Sequence, residues 1–229
     1  MNEDPDVALG LQPAPTVGRL KITEIFLSIQ GEAASVGWPT VFVRLTGCPL
    51  RCQYCDTQYA FHGGSWASIP EILAQVAGYS TARVCVTGGE PLAQRGCPKL
   101  LAALCEAGYQ VSLETSGALD IADVDSRVAR VVDVKTPGSG EHSRNRLENF
   151  HTLQPTDQLK FVICNREDYE WSREMLRTYA LDKKCTVLFS PSYRETKPEV
   201  LAQWILDDRL AVRLQVQLHK YLWGETPGT

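Results

Sequence analysis

The sequence predicts an α/β fold. A mainly parallel sheet of about six βα units should curl into an incomplete barrel rather than a closed eightfold one. Three observations predict it. Short apolar, β-branched runs recur along the 229 residues, amphipathic helical patterns fall between several of them, and polar motifs follow five of the runs. Alternating strands and helices imply crossover connections and parallel pairing. Polar groups at the carboxyl ends of such strands share one mouth.

The strand candidates, in order, are KITEIFL, TVFVRLT, ARVCVT, QVSLE, RVVDV, LKFVI, TVLFS and RLQVQL. Each is a short apolar run of strand-forming residues. SIPEILAQVAGY fits a helix, with Ser68 as N-cap, Pro70 in the first turn and Ile69, Ile72, Leu73 and Val76 on one stripe. PKLLAALCEAGY fits a second, stopped at Gly108. REDYEWSREMLRTYA and KPEVLAQWILDD are further amphipathic candidates. Residues 137–148, PGSGEHSRNRLE, suggest a mobile loop. The expected organisation is an N-terminal disordered tail over 1–18, one domain over 19–223 and a C-terminal tail over 224–229.

The formal net charge is −4, with both signs scattered along the chain. That balance argues against a nucleic-acid groove or an anionic membrane surface as a partner. No apolar run approaches the ~20 residues that span a bilayer. The opening MNEDPDVALGLQPAPTVGR lacks the basic start and apolar middle of a signal peptide. A cytoplasmic protein is therefore expected, and in that compartment a tight cysteine cluster points to metal binding or catalysis rather than disulfides.

Three of the eight cysteines cluster, in GCPLRCQYCDT: Cys48, Cys52 and Cys55. Cys85, Cys97, Cys105, Cys164 and Cys185 are scattered and suit small buried hydrophobes. Thiolates are soft ligands for zinc or for iron–sulfur clusters. A structural zinc site wants a second cysteine pair or a nearby histidine, and His62 stands seven residues beyond Cys55. A cubane held by three thiolates keeps one iron without a protein ligand, whereas an electron-carrying ferredoxin normally supplies four.

The C-x3-C-x2-C spacing, with Tyr54 before the last cysteine, is similar to the cluster motif of the radical S-adenosylmethionine superfamily. TGGEP, residues 87–91, looks like that superfamily's glycine-glycine-glutamate segment. The resemblance implies a (β/α)6 partial barrel and a [4Fe-4S] cluster on Cys48, Cys52 and Cys55. The open iron would be chelated by S-adenosylmethionine, whose one-electron cleavage yields an adenosyl radical. Gly88 and Gly89 would let the backbone approach the methionine moiety.

SIQGE, CPLRCQYCDT, TGGEP, ETSG and HKYLW occur together. From about Thr23 to Trp223 the chain resembles the 7-carboxy-7-deazaguanine synthase (QueE) family. That family contracts the ring of 6-carboxy-5,6,7,8-tetrahydropterin with loss of ammonia, on the route to queuosine. The resemblance implies pterin contacts at Ile29, Gln30, Gly31, Glu32, Arg44, Thr87 and Lys220, Arg44 gripping the carboxylate bidentately. It implies cofactor contacts at Tyr54, Cys55, Asp56, Gly89, Glu114, Ser116, Lys135 and Ser190. Thr57 matches a Mg2+ ligand, with substrate and water completing the shell. Glu32 is alternatively a surface carboxylate, Arg44 a structural ion pair, and Lys220 a cap on the last strand. DVK at 133–135 stands where the family often has SPK. The resemblance also implies a flavodoxin or ferredoxin donor and a homodimer. A glycyl-radical activating enzyme, an iron–sulfur electron carrier and a zinc module are the alternatives.

Overall fold

In the computed structural model, residues 18–224, 226 and 228 are described. The expected tail over 1–18 therefore lies outside the described residues except for Gly18, and the tail over 224–229 is described only at Gly224, Thr226 and Gly228. Strands β1 (Arg19–Ile29), β2 (Pro39–Leu45) and β3 (Ser65–Ser68) open the chain. Helix α1 (Ile69–Ala77), β4 (Arg83–Gly88), α2 (Cys97–Glu106), β5 (Gln110–Thr115) and β6 (Ala129–Asp133) follow. Then come β7 (Gln158–Ile163), α3 (Arg166–Tyr179), β8 (Thr186–Pro191), α4 (Pro198–Asp207), β9 (Arg213–Leu214) and α5 (Leu218–Trp223).

One sheet runs in the order β3-β1-β2-β4-β5-β6-β7-β8-β9. From β2 to β9 every pairing is parallel, while β1 pairs antiparallel with both β2 and β3. The order is open, with β3 and β9 as its ends among the described residues, as an incomplete barrel requires. Leu20, Val43, Val86, Leu113, Phe161 and Phe189 from the strands pack on Ile72, Leu101, Leu104, Tyr169 and Leu201 from the helices. Cys85, Cys97, Cys164 and Cys185 are buried as expected, while Cys105 is half-buried.

Local chemistry explains the helix boundaries. The Ser68 hydroxyl accepts from Glu71 N, and the Glu71 carboxylate accepts from Ser68 N at 2.7 Å. This reciprocal cap is worth about 1 kcal/mol. Gly108 follows α2 at φ +89°, a left-handed turn that glycine adopts without strain.

The connections β5–β6 and β6–β7, where no helix is expected, contain no α-helix, the first only turns and the second three short 3-10 helices. Side-chain bonds replace helix packing there: Asn149 Nδ2 donates to the carbonyls of Gly117 and Leu119, and Arg130 forms a buried ion pair with Asp157 at 2.5 Å. Two expectations are corrected. Residues 137–148 are not a free loop. Gly138 N donates to Asp168 at 2.7 Å, and Asn145 bonds both backbone groups of Lys135. RLQVQL pairs over only two residues, Arg213 and Leu214, before the chain turns into α5. Lys220 therefore lies on a helix and caps no strand.

Candidate functional site

The cysteine loop leaves β2 where the backbone of β4 ends. Gly89 N donates to Leu45 O at 3.2 Å and Glu90 N to Gly47 O at 2.8 Å, stitching TGGEP to the start of the loop. A Cβ on Gly88 would stand 2.4 Å from Leu45 O, and one on Gly89 would stand 2.3 Å from Gly47 O and 2.7 Å from Cys48 Cβ. Both glycines are thus demanded by strand-to-loop contact, whatever binds above them. Glu90, fully buried, accepts from Leu92 N, Ser116 N, and the hydroxyls of Thr115 and Ser116, the last at 2.5 Å. It therefore joins the ends of β4 and β5. On the other side, Gln53 N donates to Ser139 O and Arg51 N to the Glu141 carboxylate. The 137–148 segment is the loop's second wall.

All three thiols of the loop line a cavity of about 740 Å3 at the carboxyl ends of the parallel strands. That volume lies in the range of small-molecule and cofactor sites, roughly 300–1,000 Å3. Burial raises the pKa of each thiol, that of Cys52 to about 11 despite the nearby Lys135 ammonium. The thiols are protonated in the metal-free chain, so ligation must release protons. Among the described residues, no three His, Cys, Asp or Glu side chains are gathered tightly enough to hold a single ion. Separated thiols around one loop suit a polynuclear cluster, in which each cysteine takes a different iron. The donor set fits [4Fe-4S] and does not fit structural zinc.

Lys160, on β7, was missed by the sequence reading. It is a charge inside an apolar strand, the signal that had singled out Arg44. Its ammonium lies 2.8 Å from Glu32 and 3.5 Å from Asp133, and Lys135 reaches Asp133 at 3.0 Å. Gln217 Nε2 donates to the other Glu32 oxygen at 2.8 Å. Burial opposes ionisation throughout, but the pairing wins: Glu32 and Asp133 are held below the carboxylate range, and Lys135 and Lys160 above the usual ammonium value. Glu32 is therefore a buried, paired group and not a surface carboxylate.

Arg44 opposes Glu24 across β1 and β2 and Thr87 across β2 and β4. Its Nε donates to Glu24 Oε1 at 2.6 Å. Gln30 and Thr87 both donate to Glu114, at 3.3 and 3.1 Å. Glu114, expected at a ribose, thus stands with two residues expected at the pterin. The Gln30 carbonyl oxygen accepts from Glu32 N, which fixes the amide orientation.

Helix α5 closes one side. Leu218 N donates to Gly31 O, and a Cβ on Gly31 would strike His219 Nδ1 at 2.1 Å. Lys220 Nζ lies 3.1 Å from Asp56, which also accepts from the Thr57 hydroxyl at 2.8 Å. Partial desolvation at the cavity wall pushes the Asp56 pKa up, but Lys220 and Thr57 pull it below the usual value.

Every residue singled out from the sequence lines this one cavity: Ile29, Gln30, Gly31, Glu32, Arg44 and Thr87 on one side, the loop from Cys48 to Thr57 and Gly89 above, and Glu114, Ser116, Lys135, Ser190 and Lys220 around it. Tyr54 Oη and Asp133 Oδ1 are buried there without a protein partner, as polar atoms awaiting a ligand are.

An open parallel sheet with a three-cysteine loop at its mouth defines a radical S-adenosylmethionine protein, and the Radical SAM superfamily profile matches residues 42–136. The chain is 44% identical over 213 residues to a 7-carboxy-7-deazaguanine synthase of Chlorobaculum tepidum, covering 91% of this chain and 96% of that one. It is 44% identical over 225 residues to another from Koribacter versatilis, covering 92% and 99%. The crystal structure of Escherichia coli QueE has the same fold, with a TM-score of 0.69 at 24% identity over 88% of this chain and 95% of that one. The chain belongs to the 7-carboxy-7-deazaguanine synthase family.

Proposed function

We propose that the cavity takes 6-carboxy-5,6,7,8-tetrahydropterin and S-adenosylmethionine together and converts the pterin to 7-carboxy-7-deazaguanine, releasing ammonia. The observation that carries this reading is the stitching of TGGEP to the cysteine loop while SIQGE opens onto the same cavity. The enzyme is a lyase of queuosine biosynthesis. The cluster and S-adenosylmethionine supply one-electron, hydrogen-abstracting chemistry.

The chain's own groups bind and orient. Cys48, Cys52 and Cys55 would hold the cluster through their thiolates. Arg44 faces the pterin carboxylate, for which a guanidinium is matched in charge and shape. Gln30, Thr87 and Glu114 form a hydrogen-bonding edge that complements the amide and amine groups of a pterin ring. Ile29, Gly31 and Glu32 complete that side, with Glu32 aimed by Lys160 and Gln217. Lys220 adds positive charge while its ammonium holds Asp56. Tyr54, Asp56, Gly89, Ser116, Lys135 and Ser190 surround the adenosyl moiety. Thr57 would offer its hydroxyl oxygen to a bound Mg2+, an ion usually held by few protein oxygens.

A flavodoxin or ferredoxin donor and a homodimer belong to the same proposal. Dimerisation is supported by the exposed Leu27 and Trp223, which line one shallow groove. Among the described residues no helix is long and apolar enough to cross a membrane. A cytoplasmic setting is supported by eight free cysteines.

The test is anaerobic incubation of cluster-loaded protein with reductant, S-adenosylmethionine and the carboxypterin. Deazaguanine and ammonia should appear one to one. A cluster that forms and binds S-adenosylmethionine while the pterin returns unchanged would reject the substrate assignment.

A further inference from the structure

We propose that Glu24 is the positioning residue for Arg44, holding the guanidinium so that its free edge meets the substrate carboxylate. This rests on the reading of Arg44 as the carboxylate clamp. Glu24 does not line the cavity, whereas Arg44, Phe26 and Tyr59 do. Its inferred action is therefore on Arg44 rather than on the substrate itself.

The register brings it there. Ile22 pairs with Leu45 and Glu24 with Arg44, so a bulge lies between Ile22 and Glu24. Two residues on β1 are spanned by one on β2, and the shift brings Glu24 opposite Arg44. Without the bulge, Thr23 would oppose Arg44 and Glu24 would face the wrong neighbour. Glu24 Oε1 accepts from Arg44 Nε at 2.6 Å and from Tyr59 Oη at 2.8 Å. The rings of Phe26 and Tyr59 each lie 5.8 Å from the guanidinium carbon. The fork is thus fixed at one edge by the carboxylate and flanked by two rings. Tyr59 comes from the 3-10 turn just beyond the cysteine loop. One carboxylate oxygen therefore ties the carboxylate clamp to the loop that carries the thiols.

Positioning and charge predict opposite signs. A carboxylate beside Arg44 weakens its attraction for a second carboxylate, so a purely electrostatic role would make removal of Glu24 tighten substrate binding. A positioning role makes removal weaken binding. Glu24→Gln separates the two, because its amide oxygen still accepts from Arg44 and Tyr59 while its charge is gone.

The experiment uses cluster-loaded protein and measures KM and kcat for the carboxypterin, together with calorimetric binding of that substrate and of a tetrahydropterin lacking the 6-carboxylate. Arg44→Ala is the reference, and circular dichroism, iron content and S-adenosylmethionine affinity report on folding. Glu24→Ala should raise KM about tenfold, equivalent to one lost charge-assisted contact, with kcat nearly unchanged. Its binding of the uncarboxylated pterin should be unaltered. Glu24→Gln should stay within about threefold of wild type, and Tyr59→Phe should move KM in the same direction as Glu24→Ala by less. If Arg44→Ala raises KM and Glu24→Ala leaves it unchanged or lowers it, the inference is overturned. If Arg44→Ala itself leaves KM unchanged, the clamp reading falls instead. Should Glu24→Ala lose its fold, Tyr59→Phe with unaltered KM overturns the inference.

Discussion

The Lys220 ammonium sits 3.1 Å from the Asp56 carboxylate, binding helix α5 to the residue that follows the last cysteine of the loop. The folded-state pKa of Asp56 lies below its ordinary value, near 3.9 in an unfolded chain. Its stabilising contribution is therefore complete above about pH 4 and is lost as the pH falls through the folded value. The melting-temperature difference between wild type and Lys220→Met should stay constant from roughly pH 6 to 8 and shrink in acid below about pH 4. Circular dichroism melts across that range check it; a difference that grows in acid would contradict the pairing.

Lys160 pairs with buried Glu32 at 2.8 Å, whereas Asp133 keeps Lys135 at 3.0 Å, so removing Lys160 strands chiefly Glu32. Lys160→Met should lower the unfolding free energy by about 3–5 kcal/mol, the usual cost of leaving a buried charge without its partner. Adding Glu32→Gln should recover part of that loss. Urea unfolding of the two single variants and the double variant gives the coupling directly.

The glycine contacts predict a variant that folds but cannot load. In Gly89→Ala the new methyl would press on Gly47 O and Cys48 Cβ. Cys48 must move, so iron and sulfide per chain should fall well below wild type after reconstitution, with the far-ultraviolet spectrum retained. Full loading would show that the loop can give way.

The cysteines should divide into two classes. Cys52→Ala should lose cluster and turnover together. Cys85→Ala, at a fully buried strand position, should keep its iron and lose only stability, by about 1 kcal/mol for a small core truncation. Absorption near 400 nm and chemical denaturation separate the two effects.

Glu90 accepts four hydrogen-bonding groups that hold the ends of β4 and β5 together. Glu90→Ala should weaken S-adenosylmethionine binding by at least tenfold, because Gly89 and Ser116 lose their common anchor. Equilibrium dialysis with cluster-loaded protein measures it, and an unchanged affinity would place the cofactor elsewhere.

Much of this site was legible in the chain because its signals are local. Cysteine spacing, a glycine pair after a strand and an arginine among valines each announce themselves within a few residues. The incomplete barrel followed from strand-helix alternation in the same way. What stayed hidden depends on distant partners. RLQVQL has strand-like composition, yet Gly31 O and Glu32 capture Leu218 N and Gln217 and turn the chain into a helix. Residues 137–148 have loop composition, and the groups that pin them, Asp168 on a later helix and Arg51 and Gln53 in the cysteine loop, are distant in sequence. The Glu24–Arg44 pairing needs a bulge that no residue type in KITEIFL declares. Lys160 was visible by the argument applied to Arg44, since both break an apolar strand.

Helix α5 also dictates a timetable. Its seat is built from Gly31, Glu32 and Asp56, which leave the ribosome early, whereas Leu218–Trp223 emerges after every strand of the sheet. Until those residues arrive, the thiols face an unfinished wall. Metal delivered during synthesis meets the cavity before that side is covered, whereas metal delivered to the completed chain meets it with α5 in place.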